Sequence, residues 1–356
     1  MNRLRLVSSV EQVEAHLRAG LLEGRWRGLM PGVLRLEEEL GVNRKTVEAG
    51  LRLLEQEGLL APQGAGRRRR IVLPESALAR RPLRVAILLY ESADAGLNFI
   101  VELRHRLDEG GHTSFIVSKT LRNLDMDARR MPRLVKETRA DAWMVAAGSR
   151  DVLKWFAEQK IPAFALFGRR QGLPIAGIGP DKSPAFVAAV RRLVELGHRR
   201  ICMLVHQERR LPEPGVPEQA FLTALMTHGI RTGPYNLPAW EESVEGFHAR
   251  LESLFGTTPP TALIIDEAAL FFATQLFLMN RGLQVPENVS LICSDGDPHF
   301  AWCRPSIAHI RWDSRPVVQR IVRWASNVSR GKRDVRQTLT AAVFVPGGTI
   351  GPASGH

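Results

Sequence analysis

Apolar residues recur at helical spacing along the first 72 positions and gather into short uninterrupted runs after position 82. One face of the first helical pattern, which spans residues 10–22, carries Val10, Val13, Leu17 and Leu21. A break rich in glycine and proline at residues 28–32 precedes two shorter helical patterns that meet at Gly41. The first 72 residues therefore predict a small helical unit.

From residue 83 onward, short apolar runs alternate with amphipathic stretches. The runs lie at 85–90, 114–117, 142–147, 163–167, 175–179, 201–205, 262–266 and 290–295. Helical spacing is found between them at 184–196, 218–228, 243–255 and 268–281. Runs that are apolar throughout and separated by helices are typical of parallel strands covered on both faces. This half of the chain predicts an α/β fold with parallel sheets, in two doubly wound lobes.

The two patterns are separated by a polar segment at residues 73–82, which contains Pro74 and Pro82 and predicts a linker. We therefore expect an N-terminal domain over 1–72, a linker over 73–82 and a larger domain over 83–356. A length of 356 residues agrees with more than one domain.

Composition narrows the possible functions. The formal net charge of +12 favours a polyanionic partner such as nucleic acid, but it fits an arginine-rich proteome equally well. The three cysteines form no CxxC pair, so the sequence predicts neither a zinc ribbon nor a redox motif. The N-terminus lacks the apolar core of a secretory signal, and no apolar stretch is long enough to span a membrane. We expect a cytoplasmic protein without a membrane partner.

Residues 31–54 have the pattern of a helix-turn-helix. Gly41 suits the tight turn, and Asn43 is a good N-cap for the helix that follows. The first helix should turn Leu34, Leu36 and Leu40 inward, and the second should bury Val47, Leu51 and Leu54. This leaves Arg44, Lys45 and Thr46 on the exposed first turn of the second helix, which is the part that enters the major groove in helix-turn-helix proteins.

Four motifs in this region resemble the GntR-type winged helix. They are Met30-Pro31-Gly32, the segment 41–47 (GVNRKTV), the segment 53–59 (LLEQEGL) and Gly64-Ala65-Gly66. The resemblance implies a DNA-binding domain. Two positions depart from the family pattern, because Leu34 stands where an Arg is usual, with Arg35 displaced by one position, and Glu48 stands where Arg is frequent.

The residues expected to contact DNA are Arg35, Asn43, Arg44, Lys45, Thr46, Glu48, Arg67, Arg68, Arg69 and Arg70. The last four form a basic run at the expected wing. Because alternate side chains of an extended segment point the same way, only two of the four can face DNA together. We expect them to contact the minor groove or the phosphates.

The larger domain resembles the effector domain of the LacI/GalR repressors, which is similar to periplasmic binding proteins. The segments that carry the resemblance are 193–201 (LVELGHRRI), 260–266 (PTALIID), 282–292 (GLQVPENVSLI), Ser294-Asp295 and 345–349 (VPGGT). The resemblance implies a ligand cleft between two lobes at the carboxyl ends of the strands, and a homodimer.

The residues expected to bind the effector follow predicted strands: Tyr90, Glu91, Ser149, Arg169, His206, Trp240, Asp266 and Asp295. Carboxylates suit a polyol because each accepts hydrogen bonds from hydroxyl groups. Relatives place a stacking aromatic near Trp240. The alternatives are structural, with Asp266 and Asp295 as strand-end caps and Trp240 as a core residue. The effector-holding Arg usual in relatives is absent from 214–221, and Arg209 and Arg210 are upstream candidates to replace it.

The sequence therefore predicts a DNA-binding transcription regulator. We expect a repressor whose binding to operator DNA is controlled by a carbohydrate. The alternative is a solute-binding or sensor protein of the same fold that responds to a non-sugar ligand or to a protein partner. No phosphate loop, HExxH or GxSxG motif is present, so we expect no enzyme, no catalytic residue, no metal site and no cofactor.

Overall fold

The computed structural model describes residues 9–22, 25, 26, 28–64, 67–72 and 81–354. Most of the predicted linker (73–80) lies outside the described residues, as do Ala65 and Gly66 of the expected wing. The linker at 73–82 therefore stays a prediction. Arg81 already belongs to the larger domain, because its amide donates a hydrogen bond to the carbonyl of Ser329 at 3.0 Å.

The described residues of the N-terminal unit form three helices followed by an antiparallel hairpin. Its elements are α1 (Ser9–Leu22), α2 (Val33–Leu40), α3 (Arg44–Gln56), β1 (Leu60–Ala61) and β2 (Arg70–Ile71). A further antiparallel bridge joins Leu29 to Arg70. Two helices joined by a tight turn and followed by a hairpin are therefore present in this unit.

Local chemistry explains where the helices of this unit begin and end. Gly41 ends α2 with a φ of 65°, a left-handed conformation that costs glycine little. Asn43 caps α3, since its side-chain oxygen accepts a hydrogen bond from the amide of Thr46 at 2.9 Å. The core of the unit is made of apolar residues from all three helices: Val13, Leu17, Leu21, Leu36, Val47, Leu51 and Leu54.

One apolar position of α2 was predicted wrongly. Leu36 is fully buried, but Leu34 is 71% exposed. The helical period explains the difference, because residues two positions apart point to opposite sides of a helix. The inward side of α2 consists of Val33, Leu36 and Leu40 instead.

The larger domain begins with five parallel strands and the helices between them. Its first part contains β3 (Arg84–Leu88), α4 (Asn98–Glu109), β4 (Thr113–Ile116), α5 (Met131–Glu137), β5 (Ala142–Ala146), α6 (Arg150–Glu158), β6 (Ala163–Leu166) and β7 (Ala176–Asp181). Short 3₁₀ turns lie at Ser92–Gly96 and Ala128–Arg130. These strands pair in the order β4-β3-β5-β6-β7 and form the sheet of the first lobe.

The second part of the domain forms the other lobe and returns to the first. Its elements are α7 (Ser183–Glu195), β8 (Ile201–Leu204), α8 (Gln207–Arg210), α9 (Val216–Thr227), α10 (Val244–Thr257), β9 (Ala262–Ile265), α11 (Ala268–Asn280), β10 (Ser290–Cys293), a 3₁₀ turn (Pro298–Trp302), β11 (Ala308–Trp312), α12 (Arg315–Ser329) and β12 (Gln337–Val345). The strands β8-β9-β10-β11 are parallel neighbours in the second sheet.

Strand β12 joins the two sheets. Its residues 337–341 pair in parallel with β7 of the first lobe. Its residues 342–345 pair antiparallel with β11 of the second lobe. Helix α12 follows β11 but packs into the core of the first lobe through Val317, Ile321 and Trp324. The chain therefore crosses between the lobes after β7, after β11 and along β12.

The predicted two-lobed α/β fold is confirmed, and all eight predicted strand runs are strands. The sequence pattern missed β11 and β12, because each mixes apolar and polar residues rather than forming an apolar run. Buried clusters lie on both faces of each sheet, as expected for parallel strands between helices. Among the described residues, no helix is both long enough and apolar enough to cross a membrane.

The opposite environments of Leu34 and Leu36 lead to a test of the α2 packing. Replacing Leu36 with Ala should destabilise the N-terminal unit by about 2–5 kcal/mol, because it leaves a cavity in the core. The matched change Leu34→Ala removes the same atoms from an exposed site and should cost less than about 0.5 kcal/mol. Hydrogen exchange of the α3 amides in the full chain measures both. Equal exchange in the two variants would contradict the packing described here.

Candidate functional site

The two lobes meet at the carboxyl ends of their strands. Tyr90, which follows β3 in the first lobe, donates a hydrogen bond from its hydroxyl to Glu242 of the second lobe at 2.6 Å. The ring of Tyr90 lies edge-on to that of His206, with centroids 5.6 Å apart. Arg122 of the first lobe donates to the Glu242 carbonyl at 2.6 Å and to the Glu91 carboxylate at 3.1 Å. Tyr90, Glu91 and His206 are thus brought together as predicted.

Arg169 makes a second contact between the lobes. Its guanidinium donates to the main-chain carbonyls of Glu208 at 2.5 Å and Glu213 at 2.6 Å. The loop that carries it is tightly packed, since a Cβ on Gly168 would lie 2.5 Å from the Gly148 carbonyl oxygen. Only glycine fits at this position, which also has a φ of +68°. The strand-end loops of β5 and β6 therefore fix the direction of Arg169.

His206 lies at the centre of a group of carboxylates. Its Nδ1 is 3.4 Å from Glu242 Oε1, and its Nε2 is 3.7 Å from Glu267 Oε1. Burial alone would lower the pKa of His206, but Glu242, Glu267 and the nearby charges raise it to about 11. Burial also raises the pKa of Glu208, to about 7, against the opposing effect of His206.

Glu242 stays ionised despite its burial. Desolvation alone would raise its pKa, but its contacts with His206, the Gln207 amide and Tyr90 lower it to about 2. One carboxylate therefore accepts hydrogen bonds from both lobes.

A buried ion-pair network lies beside this group. Arg209 pairs with Asp266 and also with Glu218, whose Oε1 is 2.5 Å from the guanidinium. The Asp266 carboxylate accepts a hydrogen bond from Ser294 Oγ at 2.9 Å. Burial would raise the pKa of Asp266, but Arg209 above all, with His206 and Lys182, lowers it to about 2. Arg209 thus places a guanidinium in the cleft even though segment 214–221 contains no Arg.

Asp295 lies in a third group, together with Lys182 and Trp312. Lys182 Nζ is 2.9 Å from Asp295 Oδ2, and the Trp312 indole nitrogen donates to Oδ1 at 2.6 Å. The Trp312 ring packs edge-on against Phe99 and Phe167, at 5.7 and 5.5 Å between centroids. Charged and aromatic side chains from both lobes therefore meet at this point.

Two predicted effector residues are not gathered with the others. The Ser149 hydroxyl caps α6, where it accepts a hydrogen bond from the Val152 amide at 3.3 Å. Trp240 is 92% buried in the core of the second lobe, and its indole nitrogen donates to the Val205 carbonyl at 2.9 Å. Its surroundings are those of a core residue, which was the alternative interpretation of Trp240. Its ring centroid nevertheless lies 5.6 Å from that of His206.

Residues of the site that sequence reasoning missed include Arg122, Lys182, Glu208, Glu242, Glu267 and Trp312. Lys182 directly follows β7, so the strand-end rule that selected Tyr90 would also have selected it. Trp312 ends β11, which the apolar pattern did not reveal. Glu208 and Glu242 lie in a short helix and a loop, where spacing gives no signal.

The predicted DNA-contacting residues lie in the N-terminal unit. Arg44 is 68% exposed on the first turn of α3 and donates to Glu48 at 3.0 Å. This hydrogen bond lowers the pKa of Glu48, so the two charges partly compensate each other. The side chains of Asn43 and Thr46 bond to each other at 3.0 Å within the helix cap. Lys45 and Arg35 are exposed.

The wing arginines point in different directions. Arg67, Arg68 and Arg70 are exposed. Arg69 is turned towards α3, where it forms an ion pair with Glu55. Three of the four wing arginines are therefore exposed, and Arg69 is not.

One protein family and several known proteins are similar to this chain. Residues 190–350 match the family model of the periplasmic binding protein-like domain. The chain is 28% identical over 229 residues to the HTH-type transcriptional regulator RafR of Escherichia coli, covering 63% of this chain and 68% of RafR. The lac repressor dimer bound to operator and the anti-inducer ONPF superposes with a TM-score of 0.60 at 18% identity, over 76% of this chain and 95% of the repressor. The regulator CelR in its cellobiose complex superposes with a TM-score of 0.63 at 16% identity, over 90% of this chain and all of CelR.

Residues 190–350 therefore resemble a periplasmic binding protein-like domain, and the larger domain shares the fold of the lac repressor. RafR is a transcriptional regulator, and transcription regulation is the function that these comparisons support for the chain. They point to a non-enzyme. None of the three proteins is named as a GntR-type regulator, so the GntR-type assignment of the N-terminal unit draws no support from them.

The Asp266–Arg209 pair can be tested by removing one charge. Asp266→Asn should lower the free energy of unfolding of the larger domain by about 3–5 kcal/mol, because it breaks a buried ion pair and leaves Arg209 undercompensated. Glu137→Gln, which breaks the exposed pair with Arg133, should lower it far less, because water screens that pair. Urea unfolding at neutral pH measures both, and equal losses would show that the Asp266 network is not a buried ion pair.

Proposed function

We propose that this chain is a cytoplasmic repressor, in which a GntR-type winged helix binds operator DNA and the LacI-type domain binds a carbohydrate effector. The observation that carries the proposal is the set of contacts between the lobes at the carboxyl ends of their strands. Side chains from both lobes meet there directly, through Tyr90, Arg122 and Arg169, so a ligand between them can change how the lobes pack.

The first turn of α3 is proposed to read the major groove. Arg44 and Lys45 are exposed there, and Arg can donate two hydrogen bonds to guanine. Asn43 and Thr46 form the helix cap next to them. Glu48 directs Arg44 in the free protein and is suited to accept a hydrogen bond from a cytosine amino group. Arg35 on α2 is proposed to hold a phosphate.

The wing is proposed to contact the DNA backbone or the minor groove. Arg67, Arg68 and Arg70 are exposed there. Arg69 is engaged by Glu55, so its proposed part is to hold the wing against α3.

A carbohydrate is the proposed effector class. The cleft offers carboxylates, guanidinium groups and the aromatic side chains of Phe99, Phe167 and Trp312, a combination that suits hydroxyl groups and the apolar face of a sugar ring. CelR, which superposes on this chain, was solved with cellobiose. Arg209 is proposed to act in place of the Arg that relatives carry further along the chain.

Ligand binding is proposed to act on DNA through a homodimer. The lac repressor that superposes on this chain is a dimer bound to operator. Closure of the lobes would change the spacing of two winged helices, and a two-fold operator is sensitive to that spacing.

DNA binding can be tested with a duplex from upstream of the chain's own gene. Arg44→Ala should weaken binding about tenfold or more, through loss of base or phosphate contacts. The double change Arg68→Ala/Arg70→Ala should reduce the dependence of log K on log salt concentration by about two. Fluorescence anisotropy measures both effects, and sedimentation should find two chains on each duplex.

The matched control is Arg129→Ala/Arg133→Ala, which removes two arginines that are 91% and 82% exposed on the larger domain. It should leave the affinity and the salt dependence unchanged. An unaltered salt dependence in both the wing and the α3 variants would refute the DNA-binding assignment.

Effector binding can be tested with a thermal-shift screen of sugars, sugar phosphates and nucleosides. A ligand at about 100 times its Kd should stabilise the native state by about 2.7 kcal/mol. Asp295→Asn should abolish the shift for a sugar, whereas Asp108→Asn on the exposed end of α4 should retain it. If no small molecule changes melting or operator binding, the effector claim fails and the response is to a protein partner.

A further inference from the structure

Three carboxylates surround the imidazole of His206. Within the described parts of the chain, their negative charge is not compensated by ion pairs with arginine or lysine side chains. Among the described residues, neither Glu208 nor Glu242 nor Glu267 forms an ion pair with an Arg or a Lys. Arg169 and Arg122 contact the main chain of Glu208 and Glu242, not their carboxylates. Three carboxylates therefore depend on one histidine for compensation.

The ligand atoms of His206, Glu208 and Glu242 already lie near one another. All of them fall within 4.8 Å of each other. Nitrogen and oxygen ligands of a zinc ion sit about 2.0–2.2 Å from the metal, which places neighbouring ligands about 3.3 Å apart. The ligand atoms would therefore have to move about 1.5 Å closer to one another. Rotation of the two glutamate side chains is sufficient for this movement.

The two nitrogens of His206 have the environments found in a metal-bound histidine. Its Nδ1 is buried without a hydrogen bond and faces Glu242 at 3.4 Å. Its Nε2 faces the carboxylate of Glu267 at 3.7 Å on the other side of the ring. Metal-bound histidines commonly donate their second N–H to a carboxylate, which fixes the ring orientation and strengthens the ligand. Glu267 is placed to do this.

We propose that His206, Glu208 and Glu242 form a binding site for a first-row divalent cation such as Zn²⁺ or Mn²⁺ in the cleft. One imidazole and two carboxylates are ligands that suit these metals, and two carboxylates neutralise the charge of the ion. The imidazole distinguishes this site from a site for an organic ammonium group, because an ammonium group can be bound by carboxylates alone. The sequence predicted no metal site because the three ligands come from a strand end, a short helix and a distant loop.

The site is connected to the first lobe. Tyr90 holds Glu242 at 2.6 Å, and Arg169 holds the main chain of Glu208 at 2.5 Å. A bound cation would fasten residues 206–208 to Glu242, and so would stiffen the two segments that the first lobe contacts. An effect on operator affinity rests on the proposed function, but metal binding itself does not.

Metal binding is tested on untagged, chelator-treated full-length protein without DNA. Isothermal titration with Zn²⁺ should give one ion per chain, with release of protons from the site. His206→Gln and Glu208→Gln should each weaken binding about a hundredfold. Thermal melting of each variant shows whether it is folded. Co²⁺ added to the wild type should give the visible absorption of a four-coordinate site, a result that needs no variant.

The matched control is His299→Gln. His299 also lies beside a carboxylate, with Nδ1 2.7 Å from Asp297 Oδ1, but its side chain is 82% exposed. This change should leave Zn²⁺ affinity unaltered. The proposal is overturned if the wild type binds no Zn²⁺, if folded His206→Gln binds it as tightly as the wild type, or if His299→Gln is the variant that loses it. It is also overturned if putrescine, rather than Zn²⁺, raises the melting temperature of both the wild type and His206→Gln.

Discussion

Strand β12 constrains the larger domain because it belongs to both sheets. Its first half continues the parallel order of the first lobe beside β7, and its second half runs antiparallel to β11 in the second lobe. Any change in the angle between the lobes must therefore bend this strand or the two other crossovers. The same connection directs the carboxyl ends of both sets of strands into one cleft. The position of the site thus follows from the backbone before any side chain is considered.

The second constraint is the balance of charge in that cleft. Asp266, Glu218 and Arg209 compensate one another through a buried network, whereas the carboxylates around His206 have, among the described residues, that ring as their ion-pair partner. Contacts between the lobes already use several of these groups. A ligand that enters must therefore replace protein contacts such as Tyr90 to Glu242, and its binding is coupled to the packing of the lobes by that replacement. This coupling is what an effector domain requires.

The predictable part of the structure is the part in which the sequence has a regular period. The eight apolar runs became strands, since only buried parallel strands are apolar on both sides, and Asn43 became the cap of α3. Leu34 was placed wrongly because three leucines were assigned to one face although the helical period separates Leu34 from Leu36. Strands β11 and β12 were missed because both contain polar residues among the apolar ones, at the place where the chain crosses between the lobes. In the site, Tyr90, Asp266 and Asp295 could be found at strand ends. Glu208 and Glu242 could not, because tertiary packing alone brings them to His206.

The charges around His206 also limit which ligands suit the cleft. Burial by itself opposes ionisation of all these groups, yet Glu242 remains ionised because Tyr90, the Gln207 amide and His206 all stabilise its charge. A neutral sugar that displaced the tyrosine hydroxyl would need to supply a hydroxyl donor in its place, or Glu242 would lose part of its stabilisation. A cation would instead replace the positive charge that protonated His206 supplies. The two kinds of ligand therefore act on the same carboxylate in different ways, and both would act through the Tyr90–Glu242 hydrogen bond, which is one of the contacts that join the lobes.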